Sequence, residues 1–147
     1  MGMVGPVTNS AGNEAKIEVP YTDMDEMNEF ARAYTAARDG EFFEIGMLAM
    51  YCMAMRTEVL NSVGLLDERF GIGMFEDDDY ARRVREKGYR IICAEDAYVH
   101  HWGRASFSKL ENEAYVRLFE KNRSLFEKKW NIKWSPHKLA KQGKATL

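Results

Sequence analysis

The sequence predicts an α/β domain. Short apolar runs of strand length at residues 45–55, 89–94 and 97–101 alternate with stretches of helical periodicity. Gly40, Gly64 and Gly88 stand where those helical stretches stop. The stretch 77–87 begins acidic and ends basic, the order that a helix dipole favours. At 147 residues the chain has room for one domain with a real core and not for two full ones.

Taken in order, residues 4–14 are a short apolar stretch broken by Gly5-Pro6, then a polar loop of Asn, Ser and Gly; the first residues give no clear structural start. Met24, Met27, Phe30, Ala31 and Tyr34 set a helix over 22–38, capped by Thr22 or Asp23 and ended by Gly40. The run IGMLAMYCMAM at 45–55 is a continuous buried strand, and a short helix over 58–63 stops at Gly64. A Gly-punctuated loop, 65–75, leads into a helix over 77–87 with Tyr80, Ala81 and Val84 on its apolar face. Two strands follow at 89–94 and 97–101, then a loop. A long amphipathic helix over 110–130 carries Tyr115, Leu118, Phe119, Leu125, Phe126 and Trp130, and the tail after Trp134 is weakly ordered.

Composition narrows the function. Hydrophobic residues make up 46% and charged residues 30%, the profile of a soluble globular protein. A net charge of −2 gives no basic field for nucleic acid, and the basic residues after position 120 alternate with Glu120 and Glu127 as on a solvated helix face. Cys52 and Cys93 are far apart in apolar stretches, which predicts reduced, buried thiols in a cytosolic protein. No apolar run approaches the ~18–20 residues that span a bilayer, and no signal peptide opens the chain.

Two constellations stand out. Glu76, Asp77, Asp78 and Asp79 are consecutive. Two carboxylates would complement a helix start, at about 0.3–1 kcal/mol each. Four repel one another and raise at least one pKa, which suits a cation or a proton transfer. Structural and functional readings both stand on these residues alone. The second constellation is His100-His101-Trp102-Gly103 at a strand end, where α/β sites lie. Only one of two adjacent histidines on a strand faces a given site. Paired with the acidic run, a hard divalent cation is conceivable. Trp102 is either a stacking platform for a sugar ring or a buried core residue.

The segments VGPVTN (4–9), MYCMAMR…GLLDERF…FEDDD…GYRI (50–91) and AYVHHWGRASF (97–107) together resemble the C-terminal half of family-2, GT-A-type inverting glycosyltransferases. The resemblance covers residues 4–107. It implies a partial GT-A fold, a mixed sheet flanked by helices, without the N-terminal nucleotide-binding half and its strand ending in Asp-x-Asp. Residues 1–107 would then be the acceptor and catalytic-base half, and 108–147 a C-terminal helical extension.

The activity so implied is transfer of a sugar from a nucleotide-diphospho-sugar to a saccharide or other hydroxyl acceptor, with inversion. Asp77 would be the general base and Glu76 its companion. His101, spaced from Ser106 as in the family, would help hold a divalent Mn²⁺ or Mg²⁺ or the donor diphosphate, with His100 as fallback. Asp78, Arg83 and Trp102 are the candidate substrate-binding residues; Arg83 and Arg85 are also candidate partners of the acidic pair. Asp67 and Asn9 match as loop-shaping groups. A half-sheet exposes an edge, so a homodimer or higher oligomer is expected, in the cytoplasm or at the inner face of the membrane. The alternative is a non-catalytic binding or assembly module that keeps the half-fold.

Overall fold

The computed structural model describes residues 1–103 and 112–138. The elements are β1 (Met3–Val7), α1 (Met24–Ala36), β2 (Phe42–Glu44), β3 (Ala54–Met55), α2 (Thr57–Val63), a 3-10 turn (Glu68–Phe70), α3 (Glu76–Glu86), β4 (Ile91–Tyr98) and α4 (Asn112–Trp130). They form an α/β protein around one open, mixed sheet in the order β2-β4-β1-β3. β1 runs parallel to β4 at the centre, and β2 and β3 are antiparallel edges of three and two residues.

Local chemistry accounts for the helices. The Asp23 side chain accepts from Asp25 N and Glu26 N at 3.0 and 2.9 Å, while Glu26 reaches back to Thr22 N at 2.8 Å, so α1 starts with a reciprocal cap. α2 ends on Gly64 with φ 82°, and α3 is followed by Gly88 with φ 79°. Tyr80, Ala81 and Val84 of α3 are buried against Met3, Val59 and Ile91, as its periodicity predicts. α4 begins at Asn112 among the described residues; positions 110 and 111, where the expected helix starts, lie outside them, as do Ser106 and the end of the tail.

Three expectations are corrected. Residues 4–7 belong to a central strand, although the sequence gives no clear start there. The run 45–55 is not one strand. Ile45 N still bonds Ile91 O at 3.0 Å, and then the chain crosses the core irregularly until β3. Ile45, Met47 and Leu48 are buried all the same, and the buried Asn13 supplies the missing backbone partner, with Nδ2 2.8 Å from Met47 O. Gly5 permits this crossing: a Cβ there would lie 2.9 Å from a Leu48 methyl and 3.1 Å from Cys52 O. An apolar run reports burial and leaves strand and buried loop undistinguished.

The strands expected at 89–94 and 97–101 are a single strand, β4, whose pairing with β1 jumps from Pro6↔Ala94 to Val7↔Tyr98. Pro6 has no N–H to carry the ladder onward, so Glu95, Asp96 and Ala97 bulge before Val99 N bonds Val7 O at 3.1 Å. Cys93 is fully buried, and burial pushes its thiol up to about 12; Cys52 is half-buried, and both are free.

Candidate active site

The entry to α3 is strained. After Gly71 and Gly73, Met74 and Phe75 both adopt left-handed backbone, with φ 73° and 72°. Bulky side chains seldom occupy that region, at a cost of ~1–3 kcal/mol per residue, and such residues gather where a loop has to place something. α4 holds the turn in place. The buried Asn122 directs Nδ2 at the carbonyls of Phe70, Gly73 and Met74, at 2.7, 2.8 and 3.1 Å. Phe75 is clamped among Phe119, Phe126 and Trp134. Phe75 is the N-cap and offers no side-chain acceptor, so the acidic run alone faces the unpaired N–H groups of the first turn.

The four carboxylates have different surroundings. Asp79 is fully buried and meets Arg83 Nε at 3.0 Å, Lys129 Nζ at 2.6 Å and Trp130 Nε1 at 2.9 Å. Lys129 also bonds Asp67 at 2.8 Å, and Arg69 pairs with Asp67, which holds the Asp67 carboxyl well below the usual range. Arg83 further donates to Val63 O and Leu65 O at 2.9 and 2.8 Å, so its guanidinium is committed to the α2–α3 connection. Asp78 Oδ1 lies 2.7 Å from His137 Nε2.

Asp77 is half-buried and has no cationic partner among the described residues; its Oδ1 accepts from Asp78 N at 2.9 Å. Burial first, then the charges of Asp78 and Glu76, pushes its carboxyl up to about 7. Burial also raises Glu76, whose Oε2 is shut off from solvent without a hydrogen-bond partner among the described residues.

The second constellation lies where β1 and β4 end side by side. Asn9 bonds the His101 backbone twice, Oδ1 accepting from His101 N at 2.8 Å and Nδ2 donating to His101 O at 3.2 Å. The His101 ring stacks on Tyr51 at 4.3 Å, and its Nδ1 lies 2.7 Å from Ser10 O. A carbonyl only accepts, so Nδ1 carries a proton, and in the neutral ring Nε2 is the nitrogen that presents a lone pair. His100 Nδ1 is 2.6 Å from Tyr21 OH, which also bonds Tyr98 OH in an aromatic cluster with Phe30. Trp102 is 76% exposed beside His100, and Gly103 with φ 53° passes close over Ser10.

A divalent ion fits this arrangement in part. His101 has the donor arrangement of a metal-bound imidazole, with one nitrogen donating to a carbonyl and the other without a hydrogen bond among the described residues. Among the described residues no three His, Cys, Asp or Glu side chains converge as a ligand set, and no hydrogen bond, ion pair or ring contact links His100 or His101 to Glu76, Asp77, Asp78 or Asp79.

The residue that sequence reasoning passed over is His137, in the tail expected to be weakly ordered. Its signal was the apolar spacing of Trp130, Ile132 and Trp134, which carries the amphipathic pattern past the helix end. Those residues pack on Phe70 and Phe75 and bring His137 to Asp78. No family model matches the chain, and neither a curated protein nor a solved structure matches it.

Proposed function

We propose that the chain provides the acceptor side of an inverting sugar transfer, with Asp77 as general base. One observation carries the reading: of four adjacent carboxylates, Asp79 and Asp78 are engaged by cationic or imidazole partners, whereas Asp77 and its companion Glu76 have none among the described residues, both are raised by burial, and the Asp77 carboxyl is pushed up to about 7. A base is most effective when its pKa lies near the working pH. Asp77 takes the proton of an acceptor hydroxyl as that oxygen attacks the anomeric carbon. The bond from that carbon to the nucleoside diphosphate breaks, its electron pair leaves with the diphosphate, and the neutral Asp77 returns the proton to water. Single displacement inverts the anomeric centre.

Trp102 offers an exposed aromatic face of the kind on which a sugar ring stacks. Where a divalent ion is present, His101 Nε2 is the described donor that would hold it, and the ion would offset charge on the leaving diphosphate. No helix among the described residues is long and apolar enough to cross a membrane.

The test is transfer from a nucleotide-diphospho-sugar, with Mn²⁺, by this chain joined to a donor-binding half. Asp77→Asn should lower turnover by roughly 10²–10⁴-fold while donor binding persists; unchanged turnover would sink the assignment. The second reading, a non-catalytic binding module, is favoured by one observation: the candidate substrate-binding residue Arg83 is already committed to Asp79 and to the carbonyls of Val63 and Leu65. Titration of this chain with Mn²⁺ and a nucleoside diphosphate bears on the choice: saturable binding of both supports the first reading, and no detectable binding favours the second for this chain by itself.

A further inference from the structure

The face of α3 that starts with Asp78 turns basic one turn later. Asp78, Arg82 and Arg85 follow at i, i+4 and i+7, so they share one side of the helix. Residues 132–138 return across that side and leave a cleft of about 340 Å³, with Met47, Asp78, Arg82, Arg85, Trp134 and Lys138 in its lining.

Three donors in this lining lack an acceptor among the described residues. Arg82 Nε is closed off from solvent without a hydrogen bond; its guanidinium lies over the Trp130 ring at 4.8 Å, and the nearest carboxylate oxygen, Glu86 Oε1, is 3.8 Å away. Trp134 Nε1 is likewise closed off and unbonded. The Arg85 guanidinium has neither an ion pair nor a hydrogen bond, although it borders the same space. A buried donor left unmade costs ~1–3 kcal/mol, so two in one cleft call for an acceptor. The one carboxylate in the lining, Asp78, is already opposed by His137 at 2.7 Å.

We propose that this cleft binds a phosphate group, carried by the acceptor whose hydroxyl Asp77 deprotonates; the acceptor part rests on the transferase reading above. Two guanidinium forks and an indole N–H in the lining of one cleft suit a tetrahedral oxyanion that accepts from several sides. Along the helix Arg82 and Arg85 stand about 7.5 and 12 Å beyond Asp77, a span that a sugar phosphate and the two long arginine side chains together cover from hydroxyl to phosphate.

The test follows the indole N–H resonance of Trp134 in the ¹⁵N-labelled full chain, assigned with Trp134→Phe. Inorganic phosphate and glucose 1-phosphate should each shift it saturably, and glucose at the same concentration should not. Arg85→Gln, at an exposed position, should weaken both by about tenfold without moving the melting temperature; Arg82→Gln should weaken both as well, with a lower melting temperature because its contact with Trp130 is lost. Asp77→Asn should leave phosphate affinity unchanged. Absence of a saturable shift, an equal response to glucose, or undiminished affinity in Arg85→Gln overturns the proposal. The phosphate titration does not involve Asp77 and the transfer assay does not require Trp134, so failure of the cleft and failure of the base are distinguishable.

Discussion

His137 Nε2 lies 2.7 Å from Asp78 Oδ1, which ties the segment beyond α4 to the first turn of α3. The contact spans 59 residues and removes one of the four adjacent carboxylates from the candidates for an unpaired base. The hydrogen bond to Asp78 raises the pKa of His137 above its ordinary value.

A pH dependence follows from that pair. The folded protein holds the His137 proton more tightly than the unfolded chain, so the stabilisation is fully present below about pH 6.5 and is lost as pH rises through the raised folded value. His137→Gln should therefore lower the melting temperature at about pH 6, and the gap from the unmodified protein should close toward pH 9. Thermal denaturation across that range checks it; a gap that widens with pH contradicts it.

Asp77 has the opposite sign. Its carboxyl is raised from 3.8 to about 7, so ionising it opposes folding. The cost begins above about pH 4, grows up to about pH 7 and is constant beyond. Asp77→Asn should stabilise the protein at pH 8 by roughly 2–4 kcal/mol and hardly at all at pH 4. Urea denaturation at both pH values measures this, and it should accompany loss of transfer, as a residue retained for chemistry at the expense of stability would show.

Asp79 has a structural role. Asp79→Ala leaves Arg83 and Lys129 half-buried without their shared carboxylate and should cost about 3–5 kcal/mol. Its effect on any activity should track the unfolded fraction, in contrast to Asp77→Asn, which should leave the fold intact.

Asn122→Ala should cost about 1–3 kcal/mol, because three carbonyls of the left-handed turn lose their donor. The turn supports the start of α3, so hydrogen exchange should speed up at the amides of residues 74–79 before it does so in β1 or β4.

Much of this was legible in the sequence where local chemistry decides. The cap at Asp23, the glycines after α2 and α3, and the apolar stripe of α3 are all local signals. The crossing of residues 45–53 was not legible, because burial alone made that run look like a strand, and its order comes from Asn13, 34 residues away. The central place of β1 depends on pairing with β3 and β4, about 50 and 90 residues on. For the site, the residues alone showed four adjacent carboxylates, and the resemblance singled out Asp77 with Glu76 as its companion. Their division into structural Asp79, paired Asp78, and Asp77 and Glu76 without cationic partners among the described residues required Lys129, Trp130 and His137, which only tertiary packing brings near.

The most direct measurement is a ¹³C-detected titration of the Asp77 side-chain carboxyl in the intact chain. An apparent midpoint near 7, displaced upward from an ordinary aspartate, is the result predicted for the base. A midpoint at or below about 4 would contradict it, since a fully ionised, well-solvated carboxylate would hold no advantage over its neighbours for accepting a hydroxyl proton.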